Sequence, residues 1–319
     1  WQIGNFPAKD KETLYESLRE VDWSEHMDKS STIAIDTVGT NNNLIHTHYT
    51  SLVIKDAVVD WFKDKTGSRP DVDVRNPDIK LNARIRGDVC TLSWDTSGER
   101  LNRRGYRSED ALGMVKAPLK ENLAAGLLLL SGYNGTQELF DPMCGSGTLL
   151  VEAALIAANK APGLMGRKFS LVNHPSYEMR RWSNIKADAR EGEREVDGCP
   201  IAGTDISRDA VRMTFASAQG SGTDDIIRVT RRSIRDMRKF DSGMVVTNPP
   251  YGERLGEISK LTELYSELGK MVKSNCSNMT LHLITSSRVL ADKISLRPTK
   301  ADEVWNGALE CRLLHYDIS

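Results

Sequence analysis

Four consecutive residues, Asn248, Pro249, Pro250 and Tyr251, place an amide, two proline rings and an aromatic ring directly after an apolar run, 244–247. Because proline cannot continue a β-ladder, this pattern predicts a buried strand that stops at Asn248. Ligands of open α/β sheets bind at the carboxyl ends of strands. We therefore interpret these residues as a catalytic site that holds a planar exocyclic NH2 group for methylation, with a simple strand-ending turn as the alternative.

A second chemical group lies between a predicted strand and helix, where Gly145 and Gly147 allow the backbone to pass close to a ligand. The stretch has no third glycine, since position 150 is Leu, and no lysine after the second glycine, which argues against dinucleotide and P-loop sites. Asp141 would repel a pyrophosphate and attract a cationic amino group. This favours S-adenosylmethionine as cofactor, held by Asp141, Pro142, Met143, Cys144, Gly145, Ser146, Gly147 and Thr148.

Two later strand ends complete the predicted cofactor site. Asp205 is placed to accept hydrogen bonds from both ribose hydroxyls, and it could also cap the helix that begins near Ser207. Ser233 follows the next strand, where an adenine edge would lie. The predicted cofactor residues therefore also include Asp205, Ile206, Ser233 and Asn248.

The elements that position these residues alternate between strand and helix after Arg107, which is typical of a parallel sheet covered on both faces. We predict an α/β fold with a Rossmann-like, mostly parallel sheet of seven strands at 138–140, 201–204, 226–230, 244–247, 279–285, 301–305 and 311–316. Helices are predicted at 118–130, 145–160 and 261–273, and the charge-rich stretch 177–196 is predicted as a solvated helical excursion.

A smaller α/β domain is predicted before this sheet, so that residues 1–107 form one domain and 108–319 the other. Its expected helices cover 14–21 and 49–65, and its strands cover 32–35, 78–86 and 89–95, the last two joined by a tight hairpin at Gly87-Asp88. His46 and His48 alternate as on one side of a strand, but no third metal ligand is evident. We therefore predict no metal and assign this stretch to a loop or sheet edge.

The composition is that of a globular protein, with 39% hydrophobic and 27% charged residues in 319. No apolar stretch reaches membrane-spanning length and no export signal precedes the first domain, so we expect a cytoplasmic protein. Five scattered cysteines without a CxxC pair argue against a disulfide framework. Although the net charge is −1, positive residues form two groups that are either RNA-binding surfaces or solvated faces: 100–107, and Arg228, Arg231, Arg232, Arg235, Arg238 and Lys239.

The stretches 140–154 (FDPMCGSGTLLVEAA) and 248–255 (NPPYGERL) together resemble the THUMP-domain RNA guanine-N2 methyltransferases, in particular those of the bacterial large ribosomal subunit. Residues 101–107 (LNRRGYR) and 117–124 (APLKENLA) also resemble this family. The resemblance spans nearly the whole chain. It implies a THUMP-type RNA-binding domain before the methyltransferase domain, and RNA as the partner. The RNA contacts expected on this basis are Arg103, Arg104, Tyr106, Arg107 and Arg254.

The chain departs from the family pattern in three ways. It is expected to start inside the ferredoxin-like segment that precedes the THUMP core, and no second methyltransferase domain is expected after Ser319. Ser233 stands where an aspartate is common beside the adenine, which would weaken one hydrogen bond.

The resemblance implies methylation of a guanine N2 amine, with 23S ribosomal RNA as the expected substrate. In this mechanism the Asn248 side-chain oxygen and the Pro249 carbonyl accept hydrogen bonds from the two N–H groups of the amine, while Tyr251 stacks on the flipped base. Two alternatives are adenine-N6 methylation of DNA and a non-catalytic role in RNA binding or ribosome assembly.

Overall fold

The computed structural model describes residues 1–107, 119–198, 200–251 and 258–318, with only the backbone at 258 and 259. These residues divide into two compact units. The first comprises Trp1–Arg100 and Lys168–Ile185, and the second comprises Leu101–Arg167 and Lys186–Ser319. The chain therefore enters the second unit after Arg100, and residues 168–185 belong to the first unit again. The sequence had suggested a single domain boundary at 107/108.

The first unit is a four-stranded sheet with two helices. In chain order its elements are β1 (Gln2–Pro7), α1 (Lys11–Arg19), β2 (Ile33–Val38), α2 (Thr47–Thr66), β3 (Ile79–Arg86) and β4 (Val89–Trp94). The strand order is β1-β4-β3-β2, with β2 and β3 parallel and the other pairs antiparallel. Strand β1 was not predicted.

Periodicity explains how this unit folds. Alternate β3 residues, Ile79, Leu81 and Ala83, are buried, and α2 buries residues such as Ile54 and Val58 at helical spacing. The predicted Gly87-Asp88 hairpin is confirmed by the antiparallel pairing of β3 with β4. The strand-like alternation of His46 and His48 was misleading, because His46 is the residue before α2 and His48 lies in its first turn.

The second unit is built on a sheet that has seven strands in the described part of the chain. These are β5 (Leu139–Asp141), β6 (Ile201–Asp205), β7 (Ile227–Arg231), β8 (Met244–Thr247), β9 (Thr280–Thr285), β10 (Lys300–Asn306) and β11 (Leu309–Asp317). Their order is β10-β11-β9-β8-β5-β6-β7. Strands β7, β6, β5, β8 and β9 run parallel, and β11 is antiparallel to both its neighbours. This confirms the predicted mostly parallel α/β sheet.

Helices follow most of these strands. The helices of this unit are α3 (Glu121–Leu130), α4 (Thr148–Ala157), α6 (Arg208–Ser221), α7 (Ile258–Asn275) and α8 (Arg288–Ala291). Helix α5 (Met179–Glu191) crosses the boundary between the units at 185/186. Helix α5 has no buried residue, which confirms the predicted exposed helix in the charge-rich stretch. The predicted start of the first helix at Pro118 lies outside the described residues. No described helix is both long and apolar enough to span a membrane.

A hydrophobic cluster packs against each of the two faces of the sheet. Residues of β8 alternate between them: Val246 belongs to the same cluster as Leu150 of α4, and Val245 to the same cluster as Leu268 of α7. All four residues of β8 are buried, as expected for a central strand covered on both faces. The carboxyl ends of β5, β6 and β8 therefore meet at one edge of a well-packed sheet.

Candidate active site

The two chemical groups singled out in the sequence meet at neighbouring strands. Strand β5 pairs in parallel with β8, so Asp141 at the end of β5 lies beside Thr247 at the end of β8. The Thr247 hydroxyl donates a hydrogen bond of 2.8 Å to Asp141 Oδ1. Asp141 directly precedes the glycine-containing loop, and Thr247 directly precedes the Asn-Pro-Pro-Tyr segment. This hydrogen bond therefore joins the starting points of the two segments.

Asp141 is a buried acid, with 1% of its surface exposed. Its Oδ1 also accepts a hydrogen bond of 3.1 Å from the Met143 amide. Burial raises the pKa of Asp141 to about 7, the two hydrogen bonds oppose that rise, and the nearby Asp205 carboxylate adds to it. A cation placed against this carboxyl group would favour its charged form.

The loop after Asp141 is shaped by its glycines and by helix α6. Gly145 and Gly147 have φ values of +55° and +77°. Thr214 of α6 donates a hydrogen bond of 2.9 Å to the Gly145 carbonyl, and a Cβ at Gly147 would lie 2.5 Å from Thr214 Cγ2. Only glycine fits at position 147, so the loop backbone packs directly against Thr214 of α6.

The side chains of this loop turn inward. The Cys144 thiol lies 3.7 Å from the Thr214 hydroxyl, and burial raises the pKa of Cys144 well above its ordinary value. The Thr148 hydroxyl accepts a hydrogen bond from Arg107. Cys144 and Thr148 therefore reach a ligand with their backbone, if at all, while their side chains stabilise the loop.

Asp205 ends β6 and is attached to the same loop. Its Oδ2 accepts a hydrogen bond of 3.1 Å from the Gly145 amide, and its Oδ1 accepts one of 2.8 Å from the Ser207 amide. A carboxylate has about four acceptor sites, so acceptor sites are left for hydroxyl donors. The helix cap considered as an alternative role belongs to Ser207, whose hydroxyl accepts from the Ala210 amide.

Two further predicted cofactor residues, Ile206 and Ser233, follow the ends of β6 and β7. Ile206 is 69% exposed at the end of β6. Ser233 lies two residues after β7, where its hydroxyl accepts a hydrogen bond of 3.3 Å from the Arg235 amide and caps a short 3-10 turn. Its contact with an adenine therefore stays a prediction.

Asn248 carries an unsatisfied acceptor. Its side-chain oxygen is buried and has no hydrogen-bond donor among the described residues. Pro249 is buried and Pro250 is exposed, so the two prolines fix the backbone between an interior and a surface position. A buried carbonyl oxygen without a donor costs free energy, about 1–3 kcal/mol, unless a ligand supplies one. This oxygen is the feature of the site that most directly indicates an N–H ligand.

Tyr251 is positioned by a residue that was not predicted. Asn306 at the end of β10 donates a hydrogen bond of 2.8 Å to the Tyr251 hydroxyl. The half-buried ring packs against both hydrophobic clusters of the sheet. Strand β11 is antiparallel to both β9 and β10, so β10 runs in the same direction as β8 and ends at the same edge as Asn248. The two partners are 55 residues apart in the chain, and no local pattern links them.

Several predicted RNA contacts instead lie in the interior of the second unit. The Tyr106 hydroxyl donates a hydrogen bond of 3.2 Å to Glu152, and Arg104 lies 3.4 Å from the same carboxylate. Arg107, with 5% of its side chain exposed, forms an ion pair of 3.6 Å with Glu121.

This burial argues against direct RNA contact by Tyr106 and Arg107. The physical reason is that Glu152 and Glu121, both buried on apolar helices, need cationic or hydroxyl partners. Arg103 is exposed and stays a predicted RNA contact, while Arg254 lies outside the described residues. The signal that could have predicted the pairing is the lone glutamate in the otherwise apolar run 149–157.

The described residues contain no group of three or more His, Cys, Asp or Glu side chains suited to a metal ion. The acidic side chains of the site are instead engaged in hydrogen bonds with the backbone and with Thr247.

Comparison with known proteins gives two family matches. Residues 104–315 match the family model UPF0020, described as an RMKL-like methyltransferase domain, and residues 8–95 match the THUMP domain. One curated relative is the ribosomal RNA large subunit methyltransferase K/L of Syntrophotalea carbinolica, 40% identical over 99% of this chain and 45% of that protein. The chain thus spans about half the length of curated relatives of this name.

Solved structures resemble the whole chain. The putative methyltransferase SMU.472, solved in complex with SAH, has a TM-score of 0.88 and 25% identity and matches 100% of this chain and 83% of that chain. A protein from Listeria monocytogenes, described as a predicted N6-adenine-specific DNA methylase, has a TM-score of 0.88 and 27% identity, with coverage of 100% and 81%.

Proposed function

Since the chain belongs to the RMKL-like methyltransferase family and carries a THUMP domain, we propose that it methylates the exocyclic N2 amine of a guanine in RNA, with S-adenosylmethionine as methyl donor. The name of the Syntrophotalea relative supports large-subunit ribosomal RNA, here 23S, as the substrate. We expect such an activity in the cytoplasm.

Asp141 and Asp205, at the ends of β5 and β6, support this cofactor. S-adenosylmethionine supplies an electrophilic methyl group on a sulfonium, and it carries an ammonium, two ribose hydroxyls and no phosphate. Asp141 offers a buried carboxyl group for the cationic end, and Asp205 retains acceptor sites for the hydroxyls. The positive-φ glycines keep side chains away from the space between them. The SAH complex of a structural neighbour adds support for this type of ligand.

The orphaned Asn248 oxygen is the observation that carries the proposed reaction. An exocyclic amine has two N–H bonds, and its lone pair is delocalised into the base. If Asn248 Oδ1 and the Pro249 carbonyl accept the two N–H bonds, the lone pair is directed toward the methyl donor. The amine nitrogen would gain the methyl group as the S–CH3 bond of the sulfonium breaks, and one proton would pass to water. No strong base is required, because the sulfur leaves as a neutral thioether, S-adenosylhomocysteine.

Tyr251 supports the binding of a base that has left its stack. Base stacking on an aromatic ring contributes about 1–3 kcal/mol. The hydrogen bond from Asn306 and the packing of the ring keep Tyr251 in one orientation, which reduces the entropy lost on binding.

The test is the substitution Asn248→Ala. We expect methyl transfer to fall at least about 100-fold, as for the loss of an aligned polar contact in a transition state, while calorimetry gives an unchanged affinity for S-adenosylmethionine. Asn184→Ala, the same change at an exposed position of α5, is the matched control and should leave activity unchanged. Full methyl transfer by Asn248→Ala with normal cofactor binding would show that the assigned role is wrong.

The substrate is tested separately, by comparing modified nucleosides of ribosomal RNA from cells with and without the protein. Loss of N2-methylguanosine supports the proposal. The Listeria neighbour, described as a predicted N6-adenine-specific DNA methylase, favours a rival activity on adenine N6 of DNA. A loss of N6-methyladenine from DNA, with ribosomal RNA unchanged, would establish that rival instead.

A further inference from the structure

A dense group of positive side chains follows the edge of the second unit's sheet. Residues 226–239 hold five arginines and one lysine against a single acidic residue, Asp236, in a chain whose net charge is −1. We call this group the β7 strip and define it by its cations: Arg228, Arg231, Arg232, Arg235, Arg238 and Lys239. Strand β7 lies at the end of the strand order, so it is an edge strand.

All six cations of the β7 strip are exposed. Arg235 is neutralised by Glu263, at 2.9 Å, and by Glu267. Within the described ranges, Arg228, Arg232, Arg238 and Lys239 form no ion pair. Their charge is therefore available to an anionic partner, whereas Arg104 and Arg107 of the first cationic group are paired with internal glutamates.

Two residues of the β7 strip, Arg231 and Arg232, adjoin the predicted cofactor-binding strand ends. In contrast, Arg228 lies three residues earlier in β7, and Arg238 follows Met237, which is hydrogen-bonded to Asn275 at the end of α7. Residue Arg231 pairs in register with Asp205, and its Nε donates a hydrogen bond of 3.0 Å to the Ile206 carbonyl. The Arg232 amide donates one of 3.0 Å to the Asp205 carbonyl. Because β5, β6, β7 and β8 are parallel, the end of β7 lies at the same sheet edge as Asn248.

From this geometry we propose that the β7 strip binds the phosphate backbone of the substrate RNA, with its Arg231–Arg232 end beside the nucleotide that enters the active site and its other cations beside the phosphates that follow. Arginine guanidinium groups suit phosphate oxygens, and phosphate contacts fix the position of a nucleic acid without reading its sequence. The strip would hold the strand while the target base reaches Asn248 and Tyr251. This inference rests on the proposed function, and it adds a surface of the methyltransferase domain to the RNA contacts.

Two alternative roles of the β7 strip would give different results. Charged residues on an edge strand prevent edge-to-edge association, and in that case removal of the arginines would promote aggregation without changing RNA affinity. An acidic protein segment could also bind the strip. In that case an acidic polypeptide would bind as tightly as RNA at equal salt.

The experiment uses the full chain and the triple substitution Arg228→Gln, Arg232→Gln and Arg238→Gln. The probe is a fluorescein-labelled oligouridylate of about 20 nucleotides, longer than common single-strand sites. Affinity is measured by anisotropy over a series of salt concentrations. A matched control, Lys270→Gln, Lys293→Gln and Arg297→Gln, removes the same charge from exposed positions elsewhere in the second unit.

We expect the strip variant to lose on the order of 10–100-fold in affinity at low salt and the slope of log K against log salt to fall by about 2, since each phosphate contact on a single strand contributes about 0.7. The control variant should differ from the wild type by less than about threefold, as expected for long-range charge alone. Equal losses in both variants, no loss in the strip variant, or equal binding of poly-glutamate would each overturn the proposal.

Cofactor titration keeps this test separate from the proposed function. Calorimetry with S-adenosylmethionine should give the same affinity for the wild type and the strip variant, because Arg232 contacts Asp205 through backbone groups. If the wild type itself does not bind S-adenosylmethionine, the proposed function fails whatever the RNA titration gives. If it binds the cofactor and the strip variant keeps full RNA affinity, only the role of the strip fails.

Discussion

The Thr247 hydroxyl and the Asp141 carboxyl group, 2.8 Å apart, join the two halves of the active site across neighbouring strands. Both residues are buried, with 1% exposure each. Thr247 directly precedes Asn248, whose side-chain oxygen is the proposed acceptor for the amine. Asp141 is the proposed partner of the cationic end of the cofactor. A change in the charge of Asp141 therefore acts on the strand end that positions Asn248.

Removal of this hydrogen bond should weaken cofactor binding through Asp141. In Thr247→Val the carboxyl group loses a donor that stabilises its charged form, so the pKa of Asp141 rises further. We expect affinity for S-adenosylmethionine to fall by about tenfold at pH 7, equivalent to roughly 1.4 kcal/mol, and to recover near pH 9. Calorimetry at both pH values measures this. Thr285→Val, another buried threonine at a strand end, is the control and should show no such pH-dependent loss.

The charge of Asp141 should also make cofactor binding depend on pH in the wild type. Its pKa of about 7 means that the carboxyl group is mostly neutral at pH 6 and charged at pH 8. Affinity for the cationic ligand should therefore rise from pH 6 to pH 8, and Asp141→Asn should remove that rise. A wild-type affinity that is constant from pH 6 to pH 8 would contradict this assignment.

The same substitution should stabilise the free protein. For a carboxyl group whose folded pKa is raised from 3.8, the contribution to stability is present at low pH and is lost as the pH rises through about 7. Asp141→Asn removes this charge, so we expect its free energy of unfolding at pH 8 to exceed that of the wild type by about 1–3 kcal/mol. Urea titrations should find the largest gain at pH 8 and a smaller one at pH 5, because the loss begins above about pH 3.8 and is complete above about pH 7.

The contact between Asn306 and Tyr251 should behave as one unit in catalysis. Tyr251→Phe and Asn306→Ala each remove the hydrogen bond, and we expect each to lower kcat/KM by about fivefold, roughly 1 kcal/mol. The double variant should be no worse than either single variant. Tyr251→Ala should lose more, since it also removes stacking worth about 1–3 kcal/mol. Additive losses in the double variant would show that the two residues act independently.

The histidine pair of β9 and β11 should make the fold sensitive to acid. Two ring nitrogens, Nδ1 of His282 and Nδ1 of His315, lie 2.8 Å apart, and Asp302 holds the far side of His315 at 3.0 Å. Burial, and then His315, lower the pKa of His282 to about 4. The unfolded chain therefore binds more protons, and stability should fall as the pH drops from about 6.5 to 4, by up to about 3 kcal/mol.

Thermal unfolding at pH 7 and pH 4.5 checks this expectation. The difference between the two melting temperatures should be smaller in His282→Gln than in the wild type, because glutamine cannot take up a proton. The exposed His48→Gln is the matched control and should leave the pH difference unchanged. An equal pH difference in His282→Gln and the wild type would exclude His282 as the acid-sensitive group.

The strand bounds of this site and the proximity of its strand ends were predictable, but two of its side-chain contacts were not. The bounds of β8 were predicted residue by residue, because β-branched residues before two prolines indicate a strand and its end. The proximity of the ends of β5 and β8, seen in the Thr247–Asp141 hydrogen bond, followed from the rule that parallel strands end at one edge. Thr214 and Asn306 gave no such signal, because no sequence pattern shows how α6 packs on the loop or where β10 lies in the sheet.

The arginines near residue 104 show a different limit. Their spacing indicates positive charge but not which way the side chains point, and the buried glutamates Glu121 and Glu152 decide that direction. In the β7 strip, a similar spacing leaves the arginines at the surface, because no buried glutamate of the described residues competes for them. Charge patterns along a sequence therefore indicate a binding surface only once the buried acids have been located.

Thr214 shows that the shape of the cofactor loop is set from outside the loop. Its hydroxyl donates to Gly145 and its methyl group lies where a side chain at position 147 would have to go. A survey of ligand-lining positions alone would pass over α6, although a bulkier residue at position 214 would displace the loop as surely as a change of either glycine. Inhibitor resistance or altered cofactor preference can thus arise on a helix that contributes none of the predicted cofactor residues.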